Sequence, residues 1–311
     1  MKIAPFATEH FFARYEFSTP YQLCNSDCES VSIDELLQLA GDSLEGLGRE
    51  RLVYTPTEGS PKLREAIAGS YSRVQPDDVT VLGTPIEGIY LAARTLLEPG
   101  DEVIVLAPAY DALVNLFEHV AGAKHVRKWE FRAEGSRWSL ELDDLRKLLT
   151  PATKLLVVNF PHNPTGFLPS ADWQRALAQL VQDKGLWLFS DEMYFALVHS
   201  GTPAIPSMAD VSDRAIVLSG HSKTHGLPGL RCGWLIVPDP EVRRELMNLK
   251  FYTSICPTVP TEYLARAALR IGETLKLRNI ERIERNRRAG VNDQTGRREL
   301  GPGADHRHPA I

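Results

Sequence analysis

Short apolar runs alternate with amphipathic stretches along most of this 311-residue chain, from about residue 79 to residue 237. Seven of the runs have the length of buried strands, at residues 79–82, 102–106, 126–131, 154–159, 186–189, 215–218 and 234–237. Several stretches between them repeat apolar residues at helical spacing, at 86–97, 112–120, 142–149 and 173–182. Strands that are apolar throughout and separated by helices predict an α/β fold, with a mostly parallel central sheet and helices on both faces.

The flanking regions have different patterns, which predict four segments. Residues 1–45 mix aromatic residues with one amphipathic stretch and are interpreted as an N-terminal arm with part of a small domain. Residues 46–250 form a large domain, and residues 251–288 are the helical start of a C-terminal small domain. Residues 289–311 lack aromatic residues and are rich in Gly, Arg, His and Pro, which predicts a disordered tail and suggests a truncation or a shifted reading frame.

Composition and charge narrow the range of functions. The chain is 43% hydrophobic and 24% charged, as in ordinary globular proteins, and its net charge of −5 argues against general binding to nucleic acid. No uncharged apolar run is long enough to span a membrane, and the N-terminus lacks the apolar segment of a signal peptide. The four cysteines lack a second ligand pair at zinc spacing, so we expect no metal, and reduced thiols in a cytoplasmic protein.

Lys223 lies a few residues beyond the apolar run at 215–218, in a turn that contains Gly226, Pro228 and Gly229. Lysine is seldom buried without a partner, so a lysine at the end of a core strand requires an explanation. A partly desolvated amine loses its proton more easily than a solvated one and can form a Schiff base with a carbonyl. The alternative for a lone lysine here is an ordinary surface residue.

Polar residues that could bind a ligand also follow two other predicted strands. Asn163 lies between Pro161 and Pro164, after the strand that ends at residue 159, and its amide can donate to a fixed ligand oxygen. Asp191 follows the next strand, where a buried carboxylate is costly unless it has a partner such as a protonated ring nitrogen. The alternatives are an Asn-Pro turn for the amide and a helix cap for the carboxylate.

Two further segments suggest contacts to a flat, phosphorylated ligand. Thr84, Pro85 and Ile86 open a predicted helix after the strand at 79–82, and free backbone N–H groups at a helix start suit a phosphate. Pro85 fits the first helical turn but supplies no N–H group. Tyr110 follows the next strand, where its ring could stack on a planar ligand or could equally belong to the core or the surface.

Together these roles describe pyridoxal phosphate, a planar pyridine with a ring nitrogen, a ring hydroxyl, an aldehyde and a phosphate. The motifs at 161–166 and 222–223, with Arg231 eight residues after the lysine, resemble those of the class I/II aminotransferase family. The resemblance extends from about Tyr54 to Ile271. It implies fold type I of the pyridoxal-phosphate enzymes, with an incomplete small domain.

The resemblance implies roles for the residues around the cofactor ring. Lys223 would form the Schiff base and then move the proton, and Asp191 would pair with the pyridinium nitrogen. Asn163 and Tyr194 would hydrogen-bond the ring hydroxyl oxygen, while Tyr110 would stack on the ring. Lys223, Asp191 and Tyr194 are therefore the catalytic candidates.

The resemblance also implies a phosphate site and a second subunit. Ser222, Arg231 and the turn at 84–86 would hold the cofactor phosphate. Tyr54 matches the family tyrosine that reaches the phosphate of the neighbouring subunit. We therefore expect a homodimer with the active sites at its interface.

Two departures from the family pattern bear on activity. Gly220 stands three residues before the lysine, where the family usually has a serine, which weakens one phosphate contact. The family's C-terminal arginine, which clamps the substrate carboxylate, has no counterpart here, and the spacing of Arg14 does not support it as a substitute. An Arg–carboxylate pair supplies both energy and orientation, so we expect this chain to bind the cofactor but to transaminate poorly.

The resemblance predicts an aminotransferase that moves an amino group between an amino acid and a 2-oxo acid, both small-molecule partners. A lyase or a cyclase on the same scaffold, such as an enzyme resembling capreomycidine synthase, is an alternative because it begins with the same proton abstraction. A further alternative is a catalytically impaired chain that binds the cofactor or a partner. The cofactor residues serve all three, and the sequence does not identify the substrate side chain.

Overall fold

The computed structural model describes residues 2–20, 22, 24–135 and 137–294. The strands in these ranges are β1 (Val79–Leu82), β2 (Glu102–Ala107), β3 (Val126–Glu130), β4 (Arg132–Glu134), β5 (Arg137–Ser139), β6 (Thr153–Asn159), β7 (Trp187–Asp191), β8 (Ala215–Gly220) and β9 (Gly233–Ile236). The α-helices are α1 (Ala7–Tyr15), α2 (Ile33–Leu39), α3 (Leu44–Gly48), α4 (Pro61–Ala68), α5 (Pro85–Leu96), α6 (Ala112–Ala121), α7 (Leu142–Leu148), α8 (Ala171–Lys184), α9 (Met208–Val211), α10 (Pro240–Lys250), α11 (Val259–Arg270) and α12 (Gly272–Gln294).

The central sheet has seven strands in the order β1-β9-β8-β7-β6-β2-β3. Strands β3, β2, β6, β7 and β8 run parallel to one another, whereas β9 is antiparallel to both of its neighbours, β1 and β8. The prediction of a mostly parallel sheet with helices on both faces is confirmed. Because parallel strands end at one edge of a sheet, the side chains that follow β6, β7 and β8 lie near one another.

Helices cover the two faces of the sheet with separate buried clusters. Leu63 of α4 and Leu177 of α8 belong to the cluster on one face, and Ile89 of α5, Phe117 of α6 and Leu246 of α10 belong to the cluster on the other. Every residue of β8 is buried, which explains why its first four residues, 215–218, are all apolar instead of alternating with polar residues.

A third buried cluster joins the N-terminal region to the C-terminal helices. Leu37 of α2 packs with Leu264 of α11 and Leu275 of α12. Just before α2, the hydroxyl of Ser30 donates a 2.8 Å hydrogen bond to the carbonyl of Gly226. The N-terminal segment therefore reaches the turn that contains Lys223.

The structure differs from the predicted elements where the sequence pattern is weak. The hairpin of β4 and β5 and the five-residue helix α3 contain no apolar run that would reveal them. Helix α12 continues to Gln294, beyond the predicted end of the helical region at residue 288. The rest of the predicted tail, residues 295–311, lies outside the described residues. No helix in the described ranges is both long and apolar enough to cross a membrane.

Candidate active site

A cavity of about 780 Å³ opens at the carboxyl ends of β6, β7 and β8. Its size is typical of sites that bind small molecules. Helix α1 and residues 24–27 line part of it. Nine of the eleven predicted site residues also line it, namely Pro85, Ile86, Tyr110, Asn163, Asp191, Tyr194, Ser222, Lys223 and Arg231.

Asp191 is the last residue of β7, and its carboxylate accepts a 3.0 Å hydrogen bond from the backbone N–H of Met193. The residue is only 6% exposed. This burial raises the pKa of the Asp191 carboxyl to about 6, although the Met193 N–H and the charge of Lys223 act in the opposite direction. A cationic partner within the cavity would stabilise such a buried carboxylate, and a protonated ring nitrogen meets this requirement.

Asn163 and Tyr194 are in direct contact, because Asn163 Nδ2 donates to the Tyr194 hydroxyl over 3.2 Å. Asn159, the last residue of β6, positions this pair. Its Oδ1 accepts from the backbone N–H of Asn163 at 2.9 Å, and its Nδ2 donates to the carbonyl of Asp191 at 2.8 Å. Burial raises the pKa of the Tyr194 phenol, so its hydroxyl stays protonated. The sequence analysis did not predict a role for Asn159, although a polar residue at the end of an apolar run could have indicated one.

The Lys223 side chain points into the cavity and meets the N-terminal segment. Its Nζ donates to Ser26 Oγ at 3.0 Å and forms a 2.5 Å ion pair with Asp27 Oδ1. The lysine side chain is 23% exposed, so the amine is partly withdrawn from solvent. No sequence pattern connects residues 196 positions apart, which is why these two partners are absent from the prediction.

Ser222, Arg231 and Thr84 form a polar corner beside the start of α5. The Arg231 guanidinium donates to Thr84 Oγ1 and, at 2.8 Å, to the carbonyl of Pro228. Ser222 Oγ is buried and has no hydrogen-bond partner within the described part of the chain. A buried hydroxyl without a partner is destabilising unless a ligand provides one. The corner therefore suits an anion such as a phosphate.

Gly220 ends β8 at the position where the related family usually has a serine. A Cβ atom at Gly220 would lie 2.9 Å from the carbonyl oxygen of Cys232 and 3.1 Å from the Cα of Gly233. Both neighbours are backbone atoms at the start of the adjacent strand β9, so they cannot move aside as a flexible side chain could. The missing serine thus has a steric reason in this chain.

The two predicted tyrosines Tyr110 and Tyr54 occupy different environments. The Tyr110 hydroxyl donates a 2.7 Å hydrogen bond to Glu9 of α1, and its ring centroid lies 5.1 Å from that of Phe6. Burial, followed by the hydrogen bond and charge of Glu9, raises the pKa of Tyr110. Tyr54 is 86% exposed and does not line the cavity. The structure therefore does not bring Tyr54 together with the other predicted phosphate residues of this chain.

The groups around this cavity fit pyridoxal phosphate. An amine, a buried carboxylate and an unpartnered buried hydroxyl beside a guanidinium surround a single space. They match the aldehyde, the ring nitrogen and the phosphate of the cofactor, respectively. Together with the mostly parallel sheet, they define the class of protein as a pyridoxal-phosphate enzyme of fold type I.

The family model for aminotransferase class I and II matches residues 22–292. The chain therefore belongs to this family and is a pyridoxal-phosphate-dependent enzyme of the aminotransferase class. The predicted family, fold and cofactor are confirmed.

Individual relatives include two types of enzyme. Capreomycidine synthase from Streptomyces vinaceus is 36% identical over 277 residues, which cover 88% of this chain and 69% of the relative. A PLP-dependent aminotransferase from Streptococcus suis 89-1591 has a TM-score of 0.85 at 29% identity, covering 94% of this chain and 77% of that one. The PLP-dependent cyclase OrfR has a TM-score of 0.85 at 26% identity, covering 97% and 79%.

Proposed function

We propose that this enzyme transfers an amino group between an amino acid and a 2-oxo acid, with Lys223 as the residue that binds the cofactor aldehyde covalently. The observation that carries the proposal is the position of Lys223 in the cavity that also contains Asp191 and Ser222. Covalent capture of an aldehyde requires an amine. Lys223 is the sole lysine among the described residues that line this cavity.

Pyridoxal phosphate, when bound, withdraws electrons from the substrate and makes its Cα–H bond acidic. Asp191 would keep the ring nitrogen protonated, because a buried carboxylate stabilises a neighbouring positive charge. Asn163 and Tyr194 would hold the ring hydroxyl oxygen, and Tyr110 would pack against the ring. Lys223 Nζ would accept the Cα proton as a general base and donate it again as a general acid.

The phosphate would be held at the polar corner described above. Ser222 Oγ and the Arg231 guanidinium would donate to its oxygens, and charge-assisted hydrogen bonds of this kind are roughly twice as strong as neutral ones. Thr84, Pro85 and Ile86 place the positive end of the α5 dipole beside the same corner. These contacts would anchor the phosphate end of the cofactor and leave its aldehyde end to Lys223.

Reduction with borohydride tests the role of Lys223. Treatment of the cofactor-loaded protein should attach the cofactor irreversibly to the peptide that contains Lys223, as mass spectrometry would detect. A Lys223→Ala variant should lose the attachment, whereas a Lys62→Ala variant, altered on the exposed side of α4, should retain it. Attachment at any other lysine would contradict the assignment.

A cyclase is the second candidate, because capreomycidine synthase and the cyclase OrfR are among the relatives. The residues that would hold the cofactor do not separate the two reactions, since both begin with removal of the Cα proton. Products would separate them. A new amino acid formed from an added 2-oxo acid supports transfer, whereas a cyclic product formed without the oxo acid supports cyclisation.

We further propose a division into a cofactor-binding large domain, residues 46–250, and a smaller domain that begins again at residues 251–288, with residues 1–45 supplying an N-terminal arm and part of the small domain. The packing of α2 against α11 and α12 supports this division. A cytoplasmic location is supported by the four cysteines, all of which are unpaired. Subcellular fractionation would test the location.

A further inference from the structure

The active-site cavity contains more negative charge than the cofactor needs. Asp191 is assigned to the ring nitrogen, and the cations that line the cavity, Lys223 and Arg231, are assigned to the aldehyde and the phosphate. Three more carboxylates line the same cavity, those of Glu9, Glu16 and Asp27. Among the described lining residues, no cation is left to pair with these three once the cofactor is bound.

Glu9 and Glu16 present their carboxylates from one side of the N-terminal arm. They are seven residues apart, at the two ends of α1, so two helical turns place them on one face with Phe12 between them. The arm is fixed to the body of the protein by a 2.7 Å hydrogen bond from the Thr8 N–H to Asp111 Oδ2. These acidic side chains therefore belong to the wall of the cavity.

Asp27 already binds a cation inside this cavity. Its carboxylate lies 2.5 Å from the Lys223 ammonium, and Ser26 Oγ accepts from the same nitrogen at 3.0 Å. When Lys223 is bound to the cofactor aldehyde, or is the neutral amine that a general base must be, Asp27 has no ammonium partner. A positively charged group of another molecule can then pair with the Asp27 carboxylate.

Carboxylates beside aromatic faces are the combination that binds ammonium and guanidinium groups, through ion pairs and cation–π contacts. Phe11 and Phe12 supply the aromatic surface of this cavity. An anionic side chain would be repelled by three carboxylates, and a neutral one would leave their negative charge uncompensated. The charge of the wall therefore selects for a cation.

We propose that the amino-acid substrate carries a positively charged side chain, held by Glu9, Glu16 and Asp27 against Phe12. This inference rests on the proposed function and adds the substrate class to it. It assigns these residues a part in specificity and leaves the chemical step to the residues named earlier.

Paired ligands that differ in charge test the proposal. The cofactor-loaded protein is titrated with L-arginine and with L-citrulline, which has nearly the same shape but an uncharged side chain, and binding is followed by calorimetry. L-lysine and L-norleucine form a second pair. We expect the charged member of each pair to bind at least about tenfold more tightly, with a preference that shrinks as salt is added.

Single substitutions test whether the acidic side chains of the cavity cause the preference for charged ligands. Glu16→Gln should weaken L-arginine binding by about fivefold and leave L-citrulline within about twofold. Glu245→Gln makes the same change on the exposed surface of α10, away from the cavity, and should alter neither. Glu16 is not among the residues assigned to the cofactor, so cofactor loading should be unaffected.

Equal affinity for the charged and neutral members of both pairs would overturn the inference. The proposed function is judged separately, by whether the enzyme exchanges amino groups between any amino acid and an oxo acid. Preferential binding of L-arginine without amino-group exchange would overturn that function and leave the substrate class standing. Amino-group exchange with neutral amino acids alone would support the proposed function and overturn the substrate class.

Discussion

Two neighbouring carboxylates at the end of β7 have separate environments. Asp191 lines the cavity, whereas Glu192 accepts hydrogen bonds from Ser190, Ser207 and the backbone N–H of Met208. Burial raises the pKa of both carboxyls, to about 6 for Asp191 and about 7 for Glu192. Asp191 thus faces the ligand space, while the hydrogen bonds of Glu192 stay within the protein.

Replacing Asp191 with Asn should impair catalysis far more than cofactor binding. The shape is kept, but the charge that would hold the ring nitrogen protonated is lost, so removal of the Cα proton should slow by roughly 100-fold. Cofactor affinity should change less, because the phosphate contacts are intact. Single-turnover spectroscopy and cofactor titration measure the two effects. A variant with the native rate would show that Asp191 has only a structural role.

Glu192 should make stability depend on pH. Its folded pKa of about 7 lies above the ordinary value of 4.5, so its contribution is fully favourable below about pH 4.5 and is lost as the pH rises through about 7. In a Glu192→Gln variant this loss should be absent. The difference in unfolding free energy between variant and native protein should therefore shift by about 1–3 kcal/mol in favour of the variant over that window.

Urea unfolding of both proteins from pH 4 to pH 8 would measure the shift. The exposed substitution Glu245→Gln should give a difference that does not vary with pH. If the difference in unfolding free energy between Glu192→Gln and the native protein also does not vary with pH, burial does not raise the pKa of Glu192.

At the level of elements, the end of β8 has no space for a side chain at Gly220. Gly220→Ser would restore the family serine but would force a Cβ against the backbone at Cys232 and Gly233. We expect a loss of about 1–3 kcal/mol in unfolding free energy and no gain in cofactor affinity. Gly48→Ser, which has open space around it, is the matched control and should be neutral. Tighter cofactor binding by the Gly220 variant would contradict this view.

Most strands could be predicted from the sequence because helices cover both faces of a parallel sheet, so its strands are apolar throughout. Each of the seven predicted strands lies within two residues of an observed one. Most predicted site residues meet because they follow strands whose carboxyl ends share an edge. Asp27 and Glu9 were not predictable, since they reach Lys223 and Tyr110 only when the N-terminal arm folds back across 196 and 101 residues. The hydrophobic periodicity of a segment does not indicate its contacts with residues that are distant in sequence.

For the whole molecule, an exposed apolar patch supports the homodimer that the family resemblance predicts. Two chain segments contribute to it, and a 2.7 Å hydrogen bond from Thr55 Oγ1 to the carbonyl of Pro257 joins the chain near them. The patch consists of large apolar side chains that are more than half exposed, namely Leu52, Val53, Tyr54, Phe251 and Tyr252. Patches of this kind mark interaction surfaces, and Tyr54 is the residue assigned to a neighbouring active site.

Tyr252→Asp should dissociate the dimer, because it places a charge in a surface that becomes buried on association. Analytical ultracentrifugation should show a dimer for the native protein and at least a tenfold weaker association for the variant. Leu277→Asp, at a half-exposed apolar position on α12, should leave association unchanged. An active native monomer would refute the assignment of Tyr54 to the partner's site.

The pairing of β1 with β9 also sets the order in which this protein can fold during synthesis. These are the first and last strands of the central sheet to leave the ribosome, and Val79 lies opposite Ile236. At about 5–20 residues per second, β1 waits roughly 10–30 s for β9, the one strand that pairs with it in the described part of the chain. Arg231 reaches Thr84 in the same late step. A nascent chain shorter than about 236 residues thus has an unpaired, aggregation-prone first strand and no phosphate corner.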